Sequence, residues 1–359
     1  MHNFKRVWRG RATKLPGLNP QPVELGLVSP VMLVVVDTEE EFNWGQPFSR
    51  QATATRSISA QDRVHALYDR LGVVPTYVID YPVASSAPAA RYLRGLVDAG
   101  RAEFGTHCHP WVTPPYREKV SSFNSYHGNL PRELEEAKIR ASTDAVAQAF
   151  GRAPRVFKAG RYGVGPNTFG ILKDLGYTVD CSVVPHTNFS YDGGPNYHGM
   201  SDRPFFLDAS RSLLEVPMTV GFSGSMRDIG PFCPWIVGSN LSQRLRLPGV
   251  MSRMKWLERG RLSPEGFDVE TQERLLTTLF HAGVRVFTMT YHSPTLQPGN
   301  TPYVRTEEDL AAFLANIESV LRYFRDNMGG TFSTLTGVER LARSRVALGK
   351  DKDKAAVAY

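Results

Sequence analysis

Short apolar runs, each ending in a polar residue suited to catalysis or metal binding, constrain this chain more than any other feature. The first covers 31–36 and runs into Asp37. A continuous apolar run of that length suits a strand buried on both faces, as in a parallel sheet. Further strands are expected at 74–79 before Asp80, at 102–107 entering a histidine pair, and at 155–159 before Arg161. Others are expected at 177–182 around Asp180, at 213–216, at 285–291 before His292, and at 331–335. Helices are expected between them: 57–71, 89–99 stopped by Gly100, 131–150 opened by Pro131, and 166–175. A basic helix near 240–258 follows, then one opened by Ser263-Pro264-Glu265, then 306–326 behind the capping-box-like Thr306 and Asp309.

Alternating strands and helices imply a parallel sheet with βαβ crossovers. About seven repeats over roughly 300 residues predict an α/β fold closed, or nearly closed, into a barrel. Barrel enzymes build their sites at the C-terminal ends of the strands. Asp37, Asp80, His107, Arg161, Asp180 and His292 all fall at that rim.

The length of 359 residues and a 42% hydrophobic content allow one large domain, or one with a small partner. The expected organisation is a basic arm over 1–30, a catalytic domain over 31–340 and a charged tail over 341–359. Cys108, Cys181 and Cys233 are too scattered for a disulfide framework and predict reduced thiols in a cytoplasmic protein. No apolar run approaches the roughly 20 residues that span a bilayer, and the basic N-terminus lacks a signal-peptide core. The net charge of +7 concentrates in Lys5, Arg6, Arg9, Arg11 and Lys14, and in Arg244, Arg246, Arg253, Lys255, Arg259 and Arg261. Such patches serve solubility or favour anionic partners: phosphates, nucleotide sugars or peripheral contact with an acidic membrane. Nucleic acid is not expected, because no recognised binding motif is present.

Four constellations carry chemistry. In Asp37-Thr-Glu39-Glu40-Glu41, crowded carboxylates call for a compensating cation or water. Residues two apart on a strand share a face, so Asp37 and Glu39 can enter one site, one as metal ligand and the other as base. In Glu103-Phe-Gly-Thr-His107-Cys-His109-Pro-Trp111, a His-x-His presents both imidazoles to one side, a common way to hold a divalent metal such as Zn2+. Cys108 then faces the other way and packs as a small apolar residue. In Lys158-Ala-Gly-Arg161-Tyr162-Gly, the Arg161 guanidinium can hold a catalytic carboxylate, or can belong to a surface loop. In Thr290-Tyr-His292-Ser-Pro294, His292 is placed as a general acid or as a structural histidine. Asp180-Cys-Ser182 can orient that histidine or simply cap its strand. Trp44, Trp111, Tyr116 and Tyr162 can stack on sugar faces or serve packing, and His127, His186 and His198 stay unassigned.

Together, and in this order, the constellations resemble the motif series of the polysaccharide deacetylases of the NodB type, carbohydrate esterase family 4, over roughly residues 31–335. The resemblance implies a distorted (β/α)7 barrel. It further implies an Asp37 base, Glu39, His107 and His109 as ligands of a divalent metal, an Arg161 brace for Asp37, an Asp180–Ser182 motif and a His292 acid. Two positions depart from the usual pattern. Trp111 stands where the family's second histidine falls, and the carboxylate ligand is Glu39 in place of an Asp beside Asp37. A subgroup with Asp-Thr-Glu-Glu-Glu-Phe and His-x-His-Pro-Trp is similar in both respects. The implied activity is hydrolysis of an N- or O-acetyl group from an acetylated sugar, free or phosphate-linked, in surface polysaccharide or lipopolysaccharide biosynthesis. A metal-dependent amidohydrolase for a small non-sugar amide and a non-catalytic glycan-binding relative are the competing expectations.

Overall fold

A computed structural model describes residues 18–227 and 256–357, with side chains as far as 347. The basic cluster from Lys5 to Lys14, together with Cys233, Arg244, Arg246, Arg253 and Lys255, lies outside the described residues.

Seven parallel strands form the frame: β1 (Val31–Thr38), β2 (Thr76–Ile79), β3 (Glu103–Cys108), β4 (Val156–Ala159), β5 (Val179–Asp180), β6 (Leu214–Glu215) and β9 (Val286–His292). Their order across the sheet is β6-β5-β4-β3-β2-β1-β9. Among the described residues β6 and β9 share no ladder. The seam is spanned by single bonds: Leu262 N–H to Thr219 O (2.9 Å), Thr290 N–H to Leu262 O (3.2 Å) and Thr288 N–H to Thr219 Oγ1 (2.7 Å). An antiparallel hairpin of β7 (Val220–Ser223) and β8 (Glu258–Arg261) stands beside this seam. The result is the expected distorted seven-stranded barrel.

Crossovers run through α1 (Asp62–Leu71), α2 (Ala87–Asp98), α3 (Arg132–Phe150), α4 (Thr168–Asp174), α5 (Val269–His281) and α6 (Glu307–Arg322). The predicted capping box at Thr306 and Asp309 is formed. The helix expected from Ser263 starts later, at Val269, because Asp268 is its N-cap and accepts from Thr271 N–H. The expected strand 331–335 shortens to Thr331–Phe332. The expected tail is helical: α7 spans Leu335–Val357. Most of the expected basic helix near 240–258 lies outside the described residues, and its last residue, Glu258, opens strand β8. Among the described residues no helix is long and apolar enough to cross a membrane.

Strand alternation assigns each residue to one of two layers. Met32, Val34, Val36, Tyr77, Ile79, Phe287, Met289 and Tyr291 pack outward against the helices. Val31, Leu33, Val35, Val78, Val156, Val179, Cys181, Leu214 and Val286 form the inner layer, together with Leu335, Val338 and Ala342 of α7. One end of the barrel is therefore plugged by α7. Glu103 fixes the plug by accepting from the N–H groups of Leu335 (3.1 Å) and Thr336 (3.3 Å), the first turn of that helix. The other end is left to the polar residues.

Candidate active site

Following the inner parity upward past Val35 brings Asp37 and then Glu39 into the barrel mouth. The same rule brings in His107 and His109 from β3, Lys158 from β4, and Thr290 and His292 from β9. Ladder register sets them side by side, with His292 opposite Asp37 and His107 opposite Lys158. Asp37, Glu39, His107, His109 and His292 border a cavity of about 440 Å3 with an aromatic wall that includes Trp44, Trp111 and Tyr162.

Glu39, His107 and His109 form a compact, buried trio. His107 Nδ1 lies 2.9 Å from the Lys158 carbonyl, and His109 Nδ1 lies 2.8 Å from Glu40 Oε2. Both acceptors require N–H at Nδ1, so each ring turns a bare Nε2 lone pair inward. The two Nε2 atoms face one another at 3.2 Å, with Glu39 Oε2 at 3.9 and 3.5 Å from them. Opposed lone pairs beside a carboxylate repel unless a proton or a cation lies between them. Burial holds both imidazoles below their usual pKa, His109 at about 4, so a proton on either ring is disfavoured. Burial, then the neighbouring Glu40, Asp37, Asp80 and Glu265, drive Glu39 well above the carboxylate range, and its Oε1 has no partner. This donor set fits a divalent cation.

Glu40, Asp80 and His109 form a second trio. Its carboxylates are already engaged. Glu40 accepts from His109 and from Trp111 Nε1 (2.9 Å), while Asp80 accepts from Glu40 N–H (2.9 Å) and Val83 N–H (2.9 Å). This trio orients His109 through the nitrogen that points away from the cavity, as outer carboxylates do for metal-binding histidines. Gly160 completes the support, since a Cβ there would lie 2.2 Å from Cys108 O and 2.6 Å from His109 Cδ2.

Asp37 is buried and paired with the Lys158 ammonium, which also reaches Thr290 Oγ1 at 3.1 Å. Burial pushes the Asp37 pKa up, but Lys158, then His107 and His292, bring it below the ordinary value. His292 is held by Glu265, whose carboxylate takes Nδ1–H at 2.7 Å and the backbone N–H at 3.0 Å. Burial opposes the charged imidazole, yet Glu265 and then Asp37 raise the His292 pKa. Its Nε2 points toward Asp37 Oδ2, 3.7 Å away.

Three expectations change. Arg161 lines the cavity but does not brace Asp37: its guanidinium pairs with Asp192 and Ser125 and lies 4.2 Å over the Tyr126 ring. Arg161 and Tyr162 sit consecutively at φ 54° and 59°, a left-handed turn that swings the guanidinium out to the rim. The brace comes from Lys158, two residues along the inner parity from Val156. Asp180 does not orient His292, because its parity turns it to the outer face of β5. There it accepts from Ser182 Oγ at 2.7 Å and neighbours Glu215. Glu265 takes the orienting role. Trp111, expected as a sugar platform or a packing residue, keeps its place on the cavity wall but is 2% exposed and stacks on His109 at 4.2 Å, so packing on that ring is its main contact. Trp44 meets His292 edge-on at 4.9 Å, and Tyr162 stays on the cavity wall. Cys108 is buried on the opposite face, as expected, and Tyr116 is exposed outside the cavity. Lys158 was legible as a lone charge in an apolar strand. Glu265 carried no such signal, since Ser-Pro-Glu reads equally well as a helix start.

No protein-family model matches the chain, and no curated protein is significantly similar to it in sequence. Solved structures do resemble it. A polysaccharide deacetylase from Mycobacterium smegmatis superposes with a TM-score of 0.50 at 14% identity, covering 92% of this chain and 96% of its own. Another from Pseudomonas aeruginosa PAO1 gives 0.48 at 16%, covering 87% and 89%. Puue allantoinase gives 0.49 at 15%, with the same coverages. A seven-stranded barrel with polar residues converging at its open end defines the architecture. The first superposition identifies it as the polysaccharide deacetylase fold, and at such identities the likeness concerns the backbone.

Proposed function

We propose that the protein is a metal-dependent deacetylase that removes an acetyl group from an acetylated sugar, with the cation held by Glu39, His107 and His109. One observation carries this reading: two imidazole Nε2 atoms face each other at 3.2 Å beside the buried Glu39 carboxylate, whose Oε2 lies 3.9 and 3.5 Å from them and whose Oε1 has no partner. Two imidazoles and a carboxylate are a ligand set that Zn2+ accepts with a position left open, so zinc is the proposed metal. When bound, such a cation supplies Lewis acidity, polarising the acetyl carbonyl and acidifying water. Lys158 keeps Asp37 ionised, and Asp37 accepts the proton of the attacking water. Glu265 fixes the His292 tautomer and favours its charged form, so His292 Nε2 gives a proton to the departing amine or alcohol. Trp44 and Tyr162 offer ring faces for the sugar. Surface-polysaccharide biosynthesis in a reducing, cytoplasmic compartment is the proposed setting.

The test is elemental analysis of the purified protein together with acetate release from a panel of acetylated sugars and small amides. We expect about one divalent ion per chain, lost in Glu39→Ala and His109→Ala, with kcat/KM for an acetylated sugar falling at least ~100-fold. Full metal retention in His109→Ala would remove that ligand. Cleavage of a small amide without acetate release from any sugar would replace the deacetylase with an amidohydrolase.

A further inference from the structure

The β7–β8 hairpin brings to the cavity a charge that the reaction above leaves unused. One side of the hairpin packs on α5. A Cβ on Gly221 would lie 2.8 Å from Leu279 Cδ2, a Cβ on Gly260 would lie 3.4 Å from Leu275 Cδ2, and Glu258 pairs with Arg274 at 2.6 Å. Alternation sends the intervening residues the other way. Arg259 donates to Thr187 Oγ1, and Arg261 lines the cavity with its Nη1 3.3 Å from the Tyr162 hydroxyl and its guanidinium 5.2 Å from that ring.

Among the described residues, every other cation at or beside the cavity has a carboxylate. Lys158 has Asp37, Arg161 has Asp192 and His292 has Glu265. Among the described residues neither Arg259 nor Arg261 has a carboxylate partner. They share one face two positions apart, and burial together with Arg261 lowers the Arg259 pKa to about 10. The sequence joining the two strands adds little countercharge, with Asp228 against Arg227, Arg244, Arg246, Arg253 and Lys255. Two like charges of this kind, one facing a substrate-sized cavity, are relieved by an anion from outside.

We infer that the substrate carries an acidic group, a carboxylate or a phosphate, bound by the Arg261 guanidinium on the Tyr162 side of the cavity. This rests on the reading of the cavity as the substrate site and names the class of sugar it takes. Arg261 is a specificity residue and takes no part in bond breaking.

The experiment measures equilibrium binding by calorimetry with the purified full-length protein. The probes are N-acetylglucosamine, N-acetylglucosamine 1-phosphate and N-acetylmuramic acid. At least one acidic probe should bind about tenfold or more tighter than the neutral one, and the gap should shrink as salt rises. Arg261→Gln should erase the gap while leaving the neutral probe within about twofold, and Arg261→Lys should restore part of it. A phosphate preference assigns a phosphate-linked sugar, and a carboxylate preference assigns an acidic sugar. Equal affinities, no measurable binding of the acidic probes, or a preference that survives Arg261→Gln overturns the inference. Acetate release is scored separately. Preference without turnover removes the deacetylase and keeps the anion site, while turnover without preference does the reverse.

Discussion

Two buried polar clusters stand on opposite faces of one sheet, at the same end of its strands. The inner one joins Asp37, Glu39, His107, His109 and Lys158. The outer one joins Asp180, Ser182 and Glu215, with His127 and Glu135 close by. Both are rich in carboxylates and contain histidine. The outer cluster is turned toward backbone. Ser182 Oγ donates to Asp180 at 2.7 Å and accepts from Ala159 N–H at 2.8 Å, while Glu215 accepts from Val183 N–H at 3.0 Å. His127 Nδ1 sits 3.1 Å from Glu135. None of these residues borders the cavity described above. In the inner cluster Asp37, Glu39, His107 and His109 border it, and the two histidines turn bare lone pairs toward it. Position at a strand end is therefore not enough to make a residue functional: parity along the strand decides whether it meets a substrate or holds a loop.

The strongest way to break this distinction is to remove the inner charge pair. Lys158→Met leaves Asp37 buried without its ammonium. Stability should fall by about 3–5 kcal/mol, the cost typical of breaking a buried pair from one side. Activity should fall by at least ~100-fold, because the base loses the cation that keeps it ionised. The double variant Lys158→Met/Asp37→Leu separates the two effects. It should recover most of the stability, read by denaturant unfolding, and none of the activity. A double variant as unstable as the single one would mean that the pair is a structural strut like the outer cluster.

A smaller effect is expected at Glu265, which touches His292 and lies outside the trio of Glu39, His107 and His109. Glu265→Gln keeps an acceptor but removes the charge that favours protonated His292. We expect kcat to fall about 10–100-fold with metal content unchanged. Loss of metal on that substitution would show that Glu265 belongs to the ligand shell.

Much of this was legible in the sequence, and the rest was hidden for definite reasons. The apolar run before Asp37 announced a buried parallel strand, and His107-Cys-His109 announced two imidazoles on one face. Both readings rest on periodicity, which is local. The Arg161 brace failed because two left-handed residues in the following turn redirect its side chain, and a glycine-flanked Arg-Tyr does not reveal that. The Asp180 role failed on a parity that the two-residue strand β5 is too short to display. Glu265 was missed because its partner is 27 positions away, beyond helix α5 at the end of β9. The wall that includes Arg261 depends on which way a hairpin packs on α5, and only the tertiary structure supplies that.

The smallest expected effect sharpens the comparison from the outer side. Glu215 is buried, and burial, followed by Asp180, raises its pKa well above the ordinary carboxylate value. Asp180 is raised as well, chiefly by burial. A carboxyl whose folded pKa exceeds its unfolded pKa adds stability that is fully present below the unfolded value and is lost as pH rises through the folded one. At neutral pH this pair is therefore a burden on the fold, because one proton must serve two carboxyls or a buried charge must stand uncompensated. Glu215→Gln supplies a permanent N–H donor toward Asp180 and keeps the oxygen that accepts from Val183. The variant should match the wild type near pH 4 and exceed it increasingly as pH rises above about 4.5, by about 2 °C in Tm for a gain near 1 kcal/mol. Metal content and kcat/KM should stay within about twofold, since nothing in the outer cluster faces the cavity. Differential scanning calorimetry across that pH range reads the first effect, and elemental analysis with acetate release reads the second. A variant that gained stability but lost its metal would mean that the two faces of the sheet are coupled, and that the outer cluster helps hold β4 and His107 in place.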